Sequence, residues 1–187
     1  MARPAPLTPL GVAALSLLVE EPMHPYEMYQ LLMARHEDRL VKVRPGTLYH
    51  AVGRLEEQGL VLATGTDREG NRPERTTYEI SGAGRAALSQ RIQDMLASPV
   101  NEYPSFPLAV SEAYNLPAGV VTELLDRRLK DLQEQLDFLA AAQDRVRTKG
   151  VERKYWIDMD YQQVMLHAEI GWIRNLRDQL GSGQLAW

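Results

Sequence analysis

Residues 44–59 read Arg44-Pro45-Gly46-Thr47-Leu48-Tyr49-His50-Ala51-Val52-Gly53-Arg54-Leu55-Glu56-Glu57-Gln58-Gly59, or RPGTLYHAVGRLEEQG. Pro45 suits the first turn of a helix, and Gly59 suits its stop. Leu48, Val52 and Leu55 recur at helical spacing and mark a buried stripe. Once that stripe faces inward, Thr47, His50 and Arg54 line the opposite side, with Tyr49 and Gly53 flanking them. Side chains of these types can bond polar groups on another molecule, the edges of nucleic-acid bases among them. Arg pairs bidentately with guanine, Thr offers a hydroxyl or a methyl, and His donates to base or phosphate acceptors.

The period changes directly after this helix. Leu60–Thr64 reads as a strand, and Thr76–Ile80 alternates, with Tyr78 and Ile80 facing one way and Thr77 and Glu79 the other. Between them, residues 65–74 are rich in turn formers, so a hairpin is expected. Upstream, Thr8 caps a first helix that has Pro9 in its first turn and Leu10, Ala13, Ala14, Leu17 and Leu18 on its inner side. A second helix runs from Pro25 to about His36 on Met28, Leu31 and Leu32, and Ser81 caps a fourth through roughly Leu96. Three helices followed by a two-stranded hairpin is the order of a winged helix-turn-helix, whose third helix enters the DNA major groove.

Charge supports this placement locally. The chain of 187 residues is acidic overall, at −4. Between positions 35 and 54, however, Arg35, Arg39, Lys42, Arg44 and Arg54 stand against only Glu37 and Asp38. The amino end of the third helix offers free backbone N–H groups to a phosphate, with Lys42 and Arg44 beside them. Arg68, Arg72 and Arg75 in the hairpin are expected to reach the DNA backbone or a minor groove. Any one of these residues alone is more simply a solvated surface charge; their joint order carries the argument.

Pro99, Pro104 and Pro107 fall within residues 98–107, which is where a linker is expected. It divides a DNA-binding domain, 1–97, from a helical lobe, 108–187. A short helix over about Leu108–Tyr114 leads to two long ones, about 117–148 and 154–180. In the first, Leu125, Leu129, Leu132, Leu136 and Leu139 alternate steps of four and three. In the second, Tyr161, Met165, Ala168, Trp172 and Leu176 repeat the pattern less strictly. Both stripes are expected to form a dimer surface. Trp156, Tyr161 and Trp172, with Met159 and Met165, are the candidates to line an effector pocket, against the simpler reading that they are core. On the outer face Glu123 is spaced to pair with Arg127, and Asp126 with Lys130. The expected fold is therefore mainly α, an N-terminal winged helix-turn-helix plus a C-terminal helical dimerisation lobe with long antiparallel helices.

The chain has no cysteine, which removes disulfides and thiolate metal sites and fits a reducing, cytoplasmic home. The apolar run Leu10–Val19 behind Arg3 lacks the flanks of a secretion signal, because prolines precede it and Glu20-Glu21-Pro22 follow it. It is also too short to span a membrane. The histidines (His24, His36, His50, His167) are scattered, and no Gly-rich phosphate loop occurs. Asp158, Asp160, His167 and Glu169 are the nearest approach to a metal set, yet His167 and Glu169 diverge on a helix. Neither catalysis, a metal nor a cofactor is expected.

At this point the sequence resembles the PadR-type transcriptional regulators. The matching residues are Leu7-Thr-Pro-Leu10, His24-Pro-Tyr-Glu27, Pro45-Gly-Thr-Leu-Tyr49, Arg54-Leu-Glu-Glu-Gln-Gly-Leu60, Tyr78-Glu-Ile-Ser81 and Gly84-Arg85. His167-Ala-Glu-Ile-Gly-Trp172 resembles the last helix of the family's larger members. The resemblance implies a homodimeric repressor on an inverted-repeat double-stranded operator, released by a small-molecule effector such as a phenolic acid or another lipophilic compound. Tyr26, within the second motif, joins the expected DNA-contacting residues. Two positions depart from the family pattern, Pro25 in place of a frequent Gly and Arg44 in place of a frequent Ser. Loss of a Ser cap costs about 1 kcal/mol, which Arg44 is expected to offset through a phosphate contact. The competing reading is a helical interaction module that binds protein and no DNA.

Overall fold

The computed structural model describes residues 6–67 and 75–187. Its tertiary contacts divide the chain into two compact units, Met1–Asn101 and Glu102–Trp187.

The first unit opens with α1, Pro9–Glu20, where the Thr8 hydroxyl accepts from the Gly11 N–H at 3.1 Å. Ala14, Leu15, Leu17 and Leu18 are buried almost completely, Leu15 among them although it lies off the expected stripe. The reason is that α1 packs against several elements at once, so its buried arc is wider than an amphipathic stripe. Helix α2, Pro25–Ala34, begins on a reciprocal cap: His24 Nδ1 accepts from the Tyr26 N–H at 3.0 Å, while Glu27 accepts from the His24 N–H at 2.8 Å. It stops two residues before the expected His36, which takes a left-handed backbone with φ 56°. Helix α3, Pro45–Glu57, follows, and Gly59 beyond it has φ +67°.

Strands β1, Val61–Asp67, and β2, Arg75–Ile80, pair antiparallel, with Val61 opposite Ile80 and Asp67 opposite Arg75. Both run further toward the tip than expected, since a bulge between Ala63 and Gly65 absorbs Thr64 and pairing resumes beyond it. Met23 adds an isolated bridge: its N–H donates to the Tyr78 carbonyl at 3.0 Å and its carbonyl accepts from the Tyr78 N–H at 3.1 Å. Helix α4, Gly82–Ala97, is capped by Ser81, whose Oγ accepts from the Gly84 N–H and donates to the Gly59 carbonyl. At Gly84 the helix lies so close to the end of α3 that an added Cβ would stand 2.0 Å from the Leu60 carbonyl oxygen. That approach accounts for glycine in the Gly84-Arg85 motif.

In the second unit, α5, Ser105–Ser111, starts within the expected linker and three residues before the expected Leu108. Pro107 does not prevent this, because in a first turn its missing N–H would have had no helical partner. Helices α6, Ala118–Thr148, and α7, Ile157–Gly181, form an antiparallel pair. Ion pairs fix their register: Arg128 to Glu169 at 2.6 Å and Asp126 to Arg177 at 2.8 Å. Asp126 is thus engaged across the pair rather than with Lys130, which lies 4.0 Å from Glu134, whereas Glu123 and Arg127 do approach to 3.8 Å.

The leucine seam requires a correction. Leu125, Leu132, Leu136 and Leu139 are buried, and Leu129 partly so, against α7 of the same chain. The face of α7 that meets them carries Met159, Leu166, Ile170 and Ile173, not the expected stripe. Tyr161, Met165 and Trp172 are 67%, 52% and 47% exposed, Ala168 is exposed, and only Leu176 packs partly inward. Heptad leucines demand an apolar partner without saying whose, and a tight reversal near Gly150 supplies one within the chain. The leucines are therefore core residues of the protomer, and the opposite face of α7 is exposed.

Candidate nucleic-acid interface

Helix α3 is split cleanly between its two sides. Leu48, Ala51, Val52 and Leu55 are at most 3% exposed and pack with α1 and α2. Thr47, Tyr49, His50 and Arg54 are exposed, and together with Gly53 they line one continuous concave strip. Nothing stands within 4 Å of a Cβ placed on Gly53, so the strip is open there to another molecule. Glu57, which was not singled out from the sequence, extends the same strip one turn further; its spacing from His50 and Arg54 was the available signal.

Thr47 plays a part beyond the expected one. Its Oγ1 accepts from the Arg44 N–H at 3.2 Å and donates to the Arg44 carbonyl at 2.9 Å. An Arg at the cap has no side-chain acceptor, so the third residue of the helix closes the box from the other side. The hydroxyl proton is thereby committed to the Arg44 backbone. Arg44 itself keeps its guanidinium free of ion pairs among the described residues, as do Lys42 and Arg54, and all three are exposed.

Part of the expected basic patch is neutralised. Arg35 binds Glu20 through two bonds, at 2.5 and 2.8 Å. The hydrogen bond from Arg35, against a smaller opposing effect of burial, holds the Glu20 carboxyl below its ordinary value. Arg39 donates to the His36 carbonyl. The cations left facing outward are those nearest the start of α3 and on its stripe.

Tyr26 is exposed at the start of α2, and His24 beside it meets the Tyr49 ring edge-on at 5.8 Å. The second and third sequence motifs thus touch each other at the rim of the strip. Tyr78 joins the hairpin to this assembly: its hydroxyl donates to Glu56 at 3.1 Å, and burial first, then that bond, raises its pKa. Arg75 opens β2, while Arg68 and Arg72 lie outside the described residues.

The three effector candidates separate. Trp156 is 7% exposed in a cluster with Leu139, Ala142 and Met159, and its indole N–H donates to the Val151 carbonyl at 3.0 Å, so it is core. Its sequence position could not reveal this, because the loop that folds back to accept the bond has no periodicity. Tyr161 stands out on the surface, and Met165 with it; Trp172 alone borders a cavity, edge-on to Phe106 at 6.2 Å. Of the tempting acidic set, Asp160 pairs with Arg153 and Glu169 with Arg128, and no group of three metal-binding side chains exists among the described residues. No helix among them is long and apolar enough to cross a membrane.

Residues 14–90 match the Transcriptional regulator PadR-like family. No curated protein sequence matches the chain. Among solved structures, Bacillus subtilis PadR bound to operator DNA aligns with a TM-score of 0.78 at 14% identity, over 94% of this chain and 99% of that one. The same protein in complex with p-coumaric acid gives 0.72 at 14% identity, over 92% and 98%. A PadR-like regulator of Bacillus cereus gives 0.66 at 15% identity, over 96% and 99%. At such identities these likenesses establish the fold.

Proposed function

We propose, from the premise that through residues 14–90 this chain belongs to the PadR-like family of transcriptional regulators, that it is a dimeric repressor which reads an inverted-repeat operator with α3. The observation that carries the reading is the division of α3: a fully buried apolar face that cannot shift, and behind it an exposed strip of Thr47, Tyr49, His50 and Arg54. Arg54 supplies the bidentate group for guanine, His50 a second donor, and Thr47 a methyl for thymine. Lys42 and Arg44 hold the phosphate beside the helix start. Reading only a few base pairs, one such helix gains both affinity and length of target from a twin about 34 Å away. The exposed Tyr161 and Met165 on α7 favour pairing through that face. Bacillus subtilis PadR has been solved with operator DNA and, separately, with p-coumaric acid; operator DNA and a small-molecule effector that releases it are accordingly proposed for this chain.

A gel shift on the DNA upstream of the gene tests the DNA reading. Affinity should fall steeply with salt, as phosphate contacts require. Arg54→Ala should cost about 1 to 3 kcal/mol of discrimination at one base pair, whereas Arg44→Ser should flatten the salt slope across all sequences. A protein that retards no duplex at low ionic strength returns the chain to the interaction-module reading.

A further inference from the structure

The second unit carries a half-open, largely apolar pocket of about 330 Å³, at the lower end of the range that holds small molecules. Phe106 of α5, Leu116 just before α6, Leu125 within it, and Trp172 and Leu176 of α7 wall it, and the half-exposed Trp187 completes the lining. Beyond α7, Gly183 turns the chain with φ +71°, and the Trp187 indole N–H then donates to the Leu116 carbonyl at 2.7 Å. One hydrogen bond, across 71 positions of sequence, fastens this indole over the mouth.

The charge chemistry of the wall is informative. Its single cation, Arg128, lies 3.7 Å over the Phe106 ring and is tied to Glu169 at 2.6 Å. A carboxylate entering the pocket would meet a guanidinium already paired with a carboxylate, so the wall offers it no net positive charge. The Trp187 donor is occupied, while the Trp172 indole N–H in the same wall has no described bond.

We infer that this cavity is the effector site and that it takes a neutral, flat, lipophilic molecule rather than an organic acid, with Trp187 as the lid. The inference rests on the regulator reading above and deepens it. Its first consequence concerns binding alone, so it is tested without DNA on the full chain, using the neutral fluorophore N-phenyl-1-naphthylamine beside its sulfonated analogue 1-anilinonaphthalene-8-sulfonate. The neutral probe should bind at one site per chain, with emission excited through tryptophan, and at least tenfold more tightly than the anion. Ala113→Phe, which fills the cavity, should reduce binding at least tenfold. Trp187→Ala, at a half-exposed residue, should keep the melting temperature and weaken the probe severalfold.

Equal affinity for the two probes, or binding unchanged in both variants, overturns the inference. So does probe fluorescence that disappears as protein concentration is raised at fixed stoichiometry, since a second copy of the chain would then be filling the cavity. Finally, the saturating neutral probe should release a retarded operator band. A saturated protein that still shifts DNA removes the effector role while leaving the DNA reading intact.

Discussion

Helices α3 and α6 carry equally regular apolar stripes, yet they use them differently. In α3 the stripe locks the helix into a small core, and what matters lies on the side that remains bare. In α6 the stripe is closed by α7, and both helices keep an exposed outer face, with Leu124 and Phe138 on one and Tyr161 and Met165 on the other. The contrast teaches that a period reports which residues are covered, while the cover itself is decided by the turns between elements. Gly59 and the hairpin place α3 at an edge of its unit; the reversal around Gly150 folds α7 back on α6.

The strongest way to break the first half of this comparison is at Gly84. Valine there drives a side chain into the Leu60 carbonyl, and a loss of about 3 kcal/mol is expected in chemical denaturation; an unchanged midpoint would mean that α4 can pull away from α3 without cost. In the second unit, Leu132→Ala should cost about 2 to 5 kcal/mol. Met165→Ala, on the exposed face of α7, should stay within about 0.5 kcal/mol for the isolated protomer and instead weaken self-association in sedimentation. If the two variants exchange these behaviours, the leucines belong to a dimer seam after all.

A smaller effect sharpens the account of α3. Thr47→Val keeps a methyl and removes the hydroxyl that binds the Arg44 backbone, so about 1 kcal/mol of stability should disappear while base preference at that position persists. The smallest effect is at the Glu20–Arg35 pair, whose side chains are 49% and 41% exposed. Because the folded carboxyl is held below its ordinary value by the Arg35 hydrogen bond, its contribution is present at neutral pH and is lost as pH falls through the folded value. Wild type should exceed Glu20→Gln by less than about 1 kcal/mol near pH 7, and the gap should close by acid pH; a gap that widens on acidification contradicts the pairing.

Most of the first unit was legible in the sequence because its signals are local. Thr8, Pro9, Pro45, Gly59 and Ser81 act on their own neighbours, and the structure places each in its expected role. What was not legible depended on distant atoms: the Met23–Tyr78 bridge, the neutralisation of Arg35, and the commitment of the Thr47 hydroxyl by a cap residue that has no acceptor of its own. In the second unit the helices were readable from periodicity, but the buried side of α7 was not. Tyr161, Met165, Ala168 and Trp172 fit a seam about as well as Met159, Leu166, Ile170 and Ile173, and only the pairing with α6 distinguishes them. Trp156 and Trp172 look alike in sequence, yet one ties down a loop and the other borders an opening.

Tyr78 bonds Met23 through its backbone and Glu56 through its ring oxygen, so a single residue ties together the approach to α2, the hairpin and the end of α3. Everything outboard of that clamp, from the Ala63–Gly65 bulge onward, is mechanically downstream of it. A substitution in the strands beyond that clamp is therefore expected to leave the packing of α3 undisturbed.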